Sequence, residues 1–118
     1  MNMHDLKWSP AEKKIARTAF DKAYSREILD IKKNLIAKVK TIKYEKDIWA
    51  LHDYLSDRRI TVDNKYDYRY SKLIIVFSRL LIDGYLKKEE LTGLREDKID
   101  LILKICFIEK NEIQSSLN

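Results

Sequence analysis

The chain has 118 residues and a formal net charge of +5, from 24 basic and 19 acidic side chains. This length fits a single domain with its own core, and the one cysteine, Cys106, excludes an internal disulfide. Two glycines and one proline among 45% hydrophobic and 36% charged residues are too few turn-formers for an all-β fold. The composition therefore predicts a single all-α domain over residues 1–118.

Composition also bears on where the chain acts. The N-terminus has no apolar core like that of a signal peptide, and no apolar run reaches the roughly 20 residues that span a bilayer. We therefore expect a cytoplasmic protein. The moderate positive charge is compatible with an acidic partner surface and does not require nucleic acid.

The first predicted helix begins with a strong start signal. Ser9 can act as the N-cap, Pro10 as the first helical residue and Glu12 as the third, which is the capping-box pattern. No glycine or proline interrupts the residues that follow, so one helix is predicted from Pro10 to Val39. Residues 1–7 are polar and are expected to be flexible.

The length of this helix predicts a dimer. About 30 residues rise roughly 45 Å along a helix, whereas a compact monomer of this size has a radius of gyration of about 13 Å. The apolar stripe continues into the second half of the helix, where Ile28 and Leu35 would lie in water in a monomer. A second copy would cover that stripe, so we expect an elongated homodimer with Ile28 and Leu35 in its interface.

The second predicted helix runs from Tyr44 to Thr61, with Ile48, Leu51 and Leu55 on one side. The neighbouring arc of this helix carries Trp49, His52, Asp53, Ser56 and Arg59. The segment Val62–Asp67 is expected to join this helix to the next, because Asp and Asn favour turns.

Two interpretations of that polar and aromatic arc remain open. Trp and Arg are the residues enriched in binding hot spots, which favours a surface for a partner or a second copy. Alternatively, Trp49 belongs to the core and the polar groups around it satisfy one another locally. Helical periodicity does not choose between these two interpretations.

The remaining chain predicts a smaller C-terminal helical head. We expect a helix rather than a strand from Tyr70 to Asp83, because the apolar run is long and Gly84 follows at the C-cap position. A short helix is expected over Lys87–Leu94 and a final one over Glu96–Lys110. Residues 111–118 are polar and are expected to fray.

Two further clusters have competing explanations. The tyrosines at 66, 68 and 70 are better explained by packing between helices than by base stacking. Six lysines allow an alternative function, a basic helical module that binds nucleic acid or anionic membrane. These are Lys32, Lys33, Lys38, Lys40, Lys43 and Lys46. Lysines on the outward face of a long helix ordinarily keep it soluble, so neither partner is expected.

The sequence lacks the usual marks of an enzyme or a metalloprotein. His4, His52 and Cys106 are too few and too scattered for a four-ligand zinc site. On a helix, His52 and Asp53 point about 100° apart and should not face each other, and Ser56 one turn beyond has no oxyanion hole beside it. Cys106 lies in an apolar run and is expected to be a buried hydrophobe. We expect no catalytic residue, no metal and no cofactor.

Five stretches of the chain resemble the fluorescence recovery protein family. They are WSPAE, AFDKAYSRE, IWALHDYLSDRR, DNKYDYR and LLIDGYLKKEEL, in the family's order and spacing. The resemblance covers roughly residues 8–101. Its most specific part is the pattern W-x-L-H-D-[FY]-L-S-x-x-R followed by D-x-K-Y-D.

This resemblance implies an all-helical, elongated homodimer that is not an enzyme. It implies binding to the light-activated orange carotenoid protein, whose return to the resting orange form the family speeds. Trp49, His52, Asp53 and Arg59 would form the patch that serves the dimer or the partner. Ile48 would be a dimer contact.

Two positions depart from the family pattern. The family head that contacts the carotenoid protein has an aromatic residue where this chain has Ile75, and a basic residue where it has Leu101. Relatives also occur in bacteria that have no phycobilisomes. The resemblance therefore leaves an alternative, a homologue from such a bacterium that binds a different protein partner.

Overall fold

The computed structural model describes residues 6–117, which form four α-helices and one short 3-10 turn. The helices are α1 (Pro10–Lys40), α2 (Glu45–Lys65), α3 (Leu73–Asp83) and α4 (Glu96–Leu117), and the 3-10 turn is Lys88–Leu91. Within this part of the chain no strand forms, in agreement with the predicted all-α fold class.

Helix α1 begins at the capping box that the sequence predicts. The Glu12 N–H donates to Ser9 Oγ and the Ser9 N–H donates to Glu12 Oε1, both at 3.1 Å. Just before the helix, Leu6 packs against the core, although we expected residues 1–7 to be flexible. Residues 1–5 of that segment lie outside the described residues.

Helix α2 continues one turn beyond its predicted end at Thr61. Its last turn lies on α1, where Val62 is buried and the Lys65 side chain is only 8% exposed. These tertiary contacts hold a DNK sequence in helical form that taken alone favours a turn. The joint to α3 therefore lies after Lys65 and not over Val62–Asp67.

The joint crosses α1 through aromatic contacts. The rings of Tyr66 and Tyr68 lie 5.4 and 4.9 Å from the Phe20 ring, centroid to centroid, in edge-to-face geometry. The Tyr70 ring lies 5.8 Å from Trp8. The three joint tyrosines thus pack between elements, as predicted, and α3 begins at Leu73 rather than at Tyr70.

Helices α3 and α4 pack on each other and on the first half of α1 to form the core. Leu73, Ile74, Phe77, Leu80 and Ile102 are fully buried there. The Cys106 side chain is buried as predicted, and its Sγ donates to the Ser78 carbonyl oxygen at 3.4 Å. Burial raises the pKa of this thiol.

The connection between α3 and α4 is tied to α1. Arg26 donates to both carboxylate oxygens of Glu90, at 2.6 and 2.8 Å, and to the Tyr85 carbonyl oxygen at 3.0 Å. Gly93 has φ +104°, and a Cβ at this position would collide with Ile15. The predicted short helix over Lys87–Leu94 is therefore reduced to the 3-10 turn.

Helix α4 extends well past its predicted end at Lys110. We expected residues 111–118 to fray, but residues 111–117 continue the helix to Leu117, and residue 118 lies outside the described residues. The physical reason is that elongating an existing helix costs little, and no glycine or proline occurs there.

The chain is elongated. Its radius of gyration is 17.1 Å and its extents are 53 × 37 × 23 Å. The core lies at one end, because every buried residue of α1 lies between Glu12 and Glu27. The second half of α1 and most of α2 project from this core.

Candidate functional site

The projecting parts of α1 and α2, residues 28–40 and 45–61, form what we call the arm. None of these residues is buried. The large apolar side chains exposed on the arm are Ile28, Leu29, Ile36, Val39, Ile48, Trp49, Leu55 and Ile60. So much apolar surface on a thin two-helix element is typical of an interaction site.

The predicted dimer residues lie on this arm. Ile28 and Leu35 are two helical turns apart on α1, and so are Ile48 and Leu55 on α2, so each pair shares a helix face. Ile28, Ile48 and Leu55 are exposed and Leu35 is half-buried. The rest of the described chain, residues 6–117, thus leaves Ile28, Ile48 and Leu55 exposed.

The predicted patch on α2 is also exposed. Trp49 is 59% exposed, so the interpretation that it belongs to the core of the single chain is wrong. The side chains of His52, Asp53 and Arg59 are 69%, 76% and 85% exposed. These four side chains are therefore available to another molecule.

Internal contacts within the patch are weak. His52 Nδ1 lies 3.4 Å from Asp53 Oδ1, so these neighbouring side chains do approach each other, contrary to our expectation. Arg59 Nε lies 3.7 Å from Asp63 Oδ2, one turn on. Such exposed pairs contribute little to stability, so the charges remain free to serve recognition.

A second candidate site is an open groove of about 960 Å³ between the end of α2, the joint and α3. Five cationic and three acidic side chains line it, together with Ile75 and Val76. The cations are Arg58, Lys65, Arg69, Lys72 and Arg79, and the acids are Glu27, Asp67 and Asp83.

Glu27 is the fully buried anion at the base of this groove. Its carboxylate accepts hydrogen bonds from Arg58 Nη2 at 2.6 Å, Lys65 Nζ at 2.8 Å and Tyr66 Oη at 2.8 Å. Lys65 also donates to Asp83 Oδ2 at 2.8 Å. Burial, and then the bond to Glu27, raises the pKa of Tyr66. We call these five residues the Glu27 cluster.

Glu27 is not among the site residues predicted from the sequence. A signal was nevertheless present in the sequence. Ala19, Ala23 and Glu27 follow one another at four-residue intervals, which places Glu27 on the same side of α1 as the buried alanines. An acid on a stripe of small apolar residues indicates a buried charge that needs cations from another element.

The predicted head contacts separate in the structure. Ile75 lies in α3, lines the groove and is 43% exposed. Leu101 lies in α4, is half-buried against the core and does not line the groove. Neither residue belongs to the arm, so the candidate residues lie in three places: on the arm, in the groove and on α4.

The described residues also bear on metal binding and on membrane insertion. Across residues 6–117, no three His, Cys, Asp or Glu side chains are grouped so that they could hold a metal ion. None of the described helices is both long enough and apolar enough to cross a membrane.

Comparisons with known proteins agree with one another. A family model described as photoprotection regulator fluorescence recovery protein matches residues 8–106. The fluorescence recovery protein of Synechocystis sp. is 44% identical over 91 residues, which cover 77% of this chain and 84% of that protein. Solved structures of the fluorescence recovery proteins of Fremyella diplosiphon and Synechocystis each match with a TM-score of 0.80 and 42% identity, covering 83% of this chain and 96% of theirs.

Proposed function

Because the chain belongs to the fluorescence recovery protein family, we propose that it binds the photoactivated orange carotenoid protein and speeds its return to the resting form. The family is described as a photoprotection regulator, and the match covers most of the chain. The chain would act without covalent chemistry, as a regulator that binds another protein in the cytoplasm.

The proposed regulator is a homodimer joined through the arm. The observation that carries this proposal is the uncovered apolar face of the arm, with Ile28 and Ile48 both more than 40% exposed. Burying apolar surface contributes about 25 cal/mol per Å², so pairing two arms provides a substantial driving force. Leu35 would complete the interface along α1.

The patch of Trp49, His52, Asp53 and Arg59 would serve the edge of the dimer and the partner, and Ile75 and Leu101 would contact the partner from the head. A protein that speeds a conformational change must bind states along the return path more tightly than the starting state. Two separate surfaces on one elongated molecule suit this task, because they can hold two parts of a partner in a fixed relation.

An optical experiment tests this function. The photoactivated carotenoid protein is mixed with the chain, and the red-to-orange absorbance decay is followed in the dark. We expect a faster decay with the wild-type chain and a slower one with Arg59→Ala or Trp49→Ala. Arg95→Ala is the control, because Arg95 is also exposed and also forms only a weak side-chain ion pair, with Asp97 at 3.5 Å.

Two outcomes would contradict parts of the proposal. An unchanged decay with a folded, dimeric chain would overturn the carotenoid protein as partner and favour a family homologue with a different protein partner. If Trp49→Ala and Arg59→Ala both left dimerisation and recovery intact, the assignment of the patch would be wrong.

A further inference from the structure

One face of α3 points into the groove. Lys72, Ile75, Val76, Arg79 and Asp83 all line it, and their spacing of three, four, seven and eleven residues places them on one side of a helix. This face presents a cation at each end of an apolar centre. This face of α3 therefore combines charged ends with an apolar centre, whereas an ordinary solvated helix face is polar throughout.

The charges of the groove are not balanced internally. Glu27 and Asp83 are bound by Lys65, and Asp67 accepts a hydrogen bond from Arg69 Nε at 2.8 Å. All three groove acids are thus already hydrogen-bonded, whereas Lys72 forms no direct ion pair with any residue from 6 to 117 and only adds from a longer distance to Arg69 in lowering the pKa of Asp67.

Arg79 is the second cation with capacity for a ligand. Its only ion pair within the described chain is with Glu109, at 3.6 Å, and its side chain is 48% exposed. Between Lys72 and Arg79 the groove is lined by the exposed side chain of Ile75 and the buried side chain of Val76. Two cations with unused hydrogen-bond donors therefore flank an accessible apolar contact.

We propose that this groove binds an acidic peptide segment of a partner protein, with an apolar side chain on Ile75 and carboxylates at Lys72 and Arg79. This inference rests on the proposed function as a protein-binding regulator and specifies the chemistry of the partner. A volume of about 960 Å³ accommodates a short segment.

The spacing of the cations defines the segment further. Arg79 lies seven positions after Lys72, the N-cap of α3, which is about 10 Å along the axis, and three residues of extended chain span the same distance. The fitting segment therefore carries two acids about three residues apart with an apolar residue between them. An apolar centre, and the acids Asp67 and Asp83 at the groove, disfavour a phosphate polyanion or nucleic acid.

Fluorescence anisotropy with a labelled peptide tests this proposal on the intact chain. The probe is an acetylated pentapeptide of sequence Glu-Asp-Leu-Glu-Asp, and the comparison probe replaces its leucine by glycine. We expect saturable binding of the leucine peptide, weakened by added salt. The double variant Lys72→Ala/Arg79→Ala should bind it about tenfold more weakly, because two charge-assisted contacts are lost.

The control is Lys32→Ala/Lys33→Ala, which removes two exposed lysines from α1 outside the groove and should bind as the wild type does. Ile75→Ala should weaken binding of the leucine peptide and leave the glycine peptide unaffected. Circular dichroism checks that each variant is folded.

Three results would overturn the proposal: no saturable binding, an equal loss in both double variants, or full displacement of the peptide by equimolar tripolyphosphate.

The peptide test needs no carotenoid protein, so it separates the two proposals. Peptide binding without faster carotenoid-protein recovery would support the groove as a peptide site and reject the carotenoid protein as the partner. Recovery without peptide binding would reject the groove alone.

Discussion

Lys98 donates to both carboxylate oxygens of Glu12, at 3.1 and 3.0 Å, although 86 residues separate them in the sequence. The two side chains are 1% and 5% exposed. Glu12 also accepts the N–H of Arg95 at 2.9 Å while it caps α1 through Ser9. One buried carboxylate therefore starts the first helix and ties the start of the last helix to it.

Replacing Lys98 by methionine should destabilise the chain. The substitution keeps the apolar volume but leaves the Glu12 carboxylate buried without its cation, which costs about 3 kcal/mol in the free energy of unfolding. Urea denaturation at one fixed protein concentration measures the effect. The control Lys104→Met, at an exposed position of the same helix, should change stability by less than about 0.5 kcal/mol. Equal losses in the two variants would contradict the role of the buried pair.

Stability should fall in acid. Burial raises the pKa of Glu12, but the N–H groups of Arg95 and Ser9 and the ammonium of Lys98 outweigh it and lower the pKa to about 2, from 4.5. A carboxyl with a lowered pKa stabilises the fold above its unfolded pKa, and this contribution is lost as the pH falls from about 5 towards 2.

The size of this loss can be measured. A shift of this extent corresponds to about 3 kcal/mol of unfolding free energy. Glu12→Gln should flatten the stability profile between pH 5 and pH 2 by a similar amount in urea titrations. Glu90, whose pKa Arg26 also lowers to about 2, leaves a residual slope in that variant. If the slope of unfolding free energy against pH were unchanged in Glu12→Gln, the acid sensitivity would belong to other groups.

The Glu27 cluster should tolerate the loss of a neutral donor better than the loss of its anion. Tyr66→Phe removes one hydrogen bond to a buried carboxylate and should cost about 2 kcal/mol. Glu27→Gln leaves Arg58 without its carboxylate and Lys65 with Asp83 alone, and it should cost about 3–4 kcal/mol, with faster amide exchange over the end of α2.

Tyr85→Phe is the matched control for the tyrosine variant. Its hydroxyl donates to the exposed Asp30 carboxylate at 2.7 Å, so the loss should stay below about 1 kcal/mol. If Tyr66→Phe were no more costly than Tyr85→Phe in thermal or urea unfolding, the buried cluster would not be what holds α2 on α1.

A charge on the arm should separate the proposed dimer. Ile48→Glu places a carboxylate in the predicted apolar interface and should shift the molecular mass in light scattering towards the 14.1 kDa of one chain. Ile113→Glu is the control, because Ile113 in α4 is 47% exposed and Ile48 is 49% exposed. A wild-type chain that is already monomeric at micromolar concentration would reject the arm interface.

The sequence predicted best where the cause is local. The capping box at Ser9, the burial of Cys106 in an apolar run and the end of α3 before Gly84 follow from neighbouring residues. Gly84 has φ +84°, the left-handed conformation expected at a helix C-cap. The exposure of Trp49 was harder to predict from the sequence. Helical periodicity places Trp49 on one arc of α2 but does not show whether another element packs against that arc.

Predicted boundaries shifted where distant contacts intervene. The end of α2 is held by Glu27, which lies 38 residues before Lys65 in the chain. The predicted short helix over Lys87–Leu94 forms only a 3-10 turn, in which Arg26 binds Glu90 across 64 residues and Gly93 packs closely on Ile15. Local sequence patterns describe the preference of a segment on its own. In the folded chain, contacts with distant residues outweigh these local preferences.

The sequence by itself determined an all-helical fold and a first helix too long for a compact monomer. Those features depend on capping, helix breakers and apolar spacing, all of which act within a few residues. Only the tertiary structure decided that Glu12, Glu27 and Lys98 are buried and that cations gather around Ile75 in a groove. A charge can be buried only beside its partner, and each of these partners comes from a distant part of the chain.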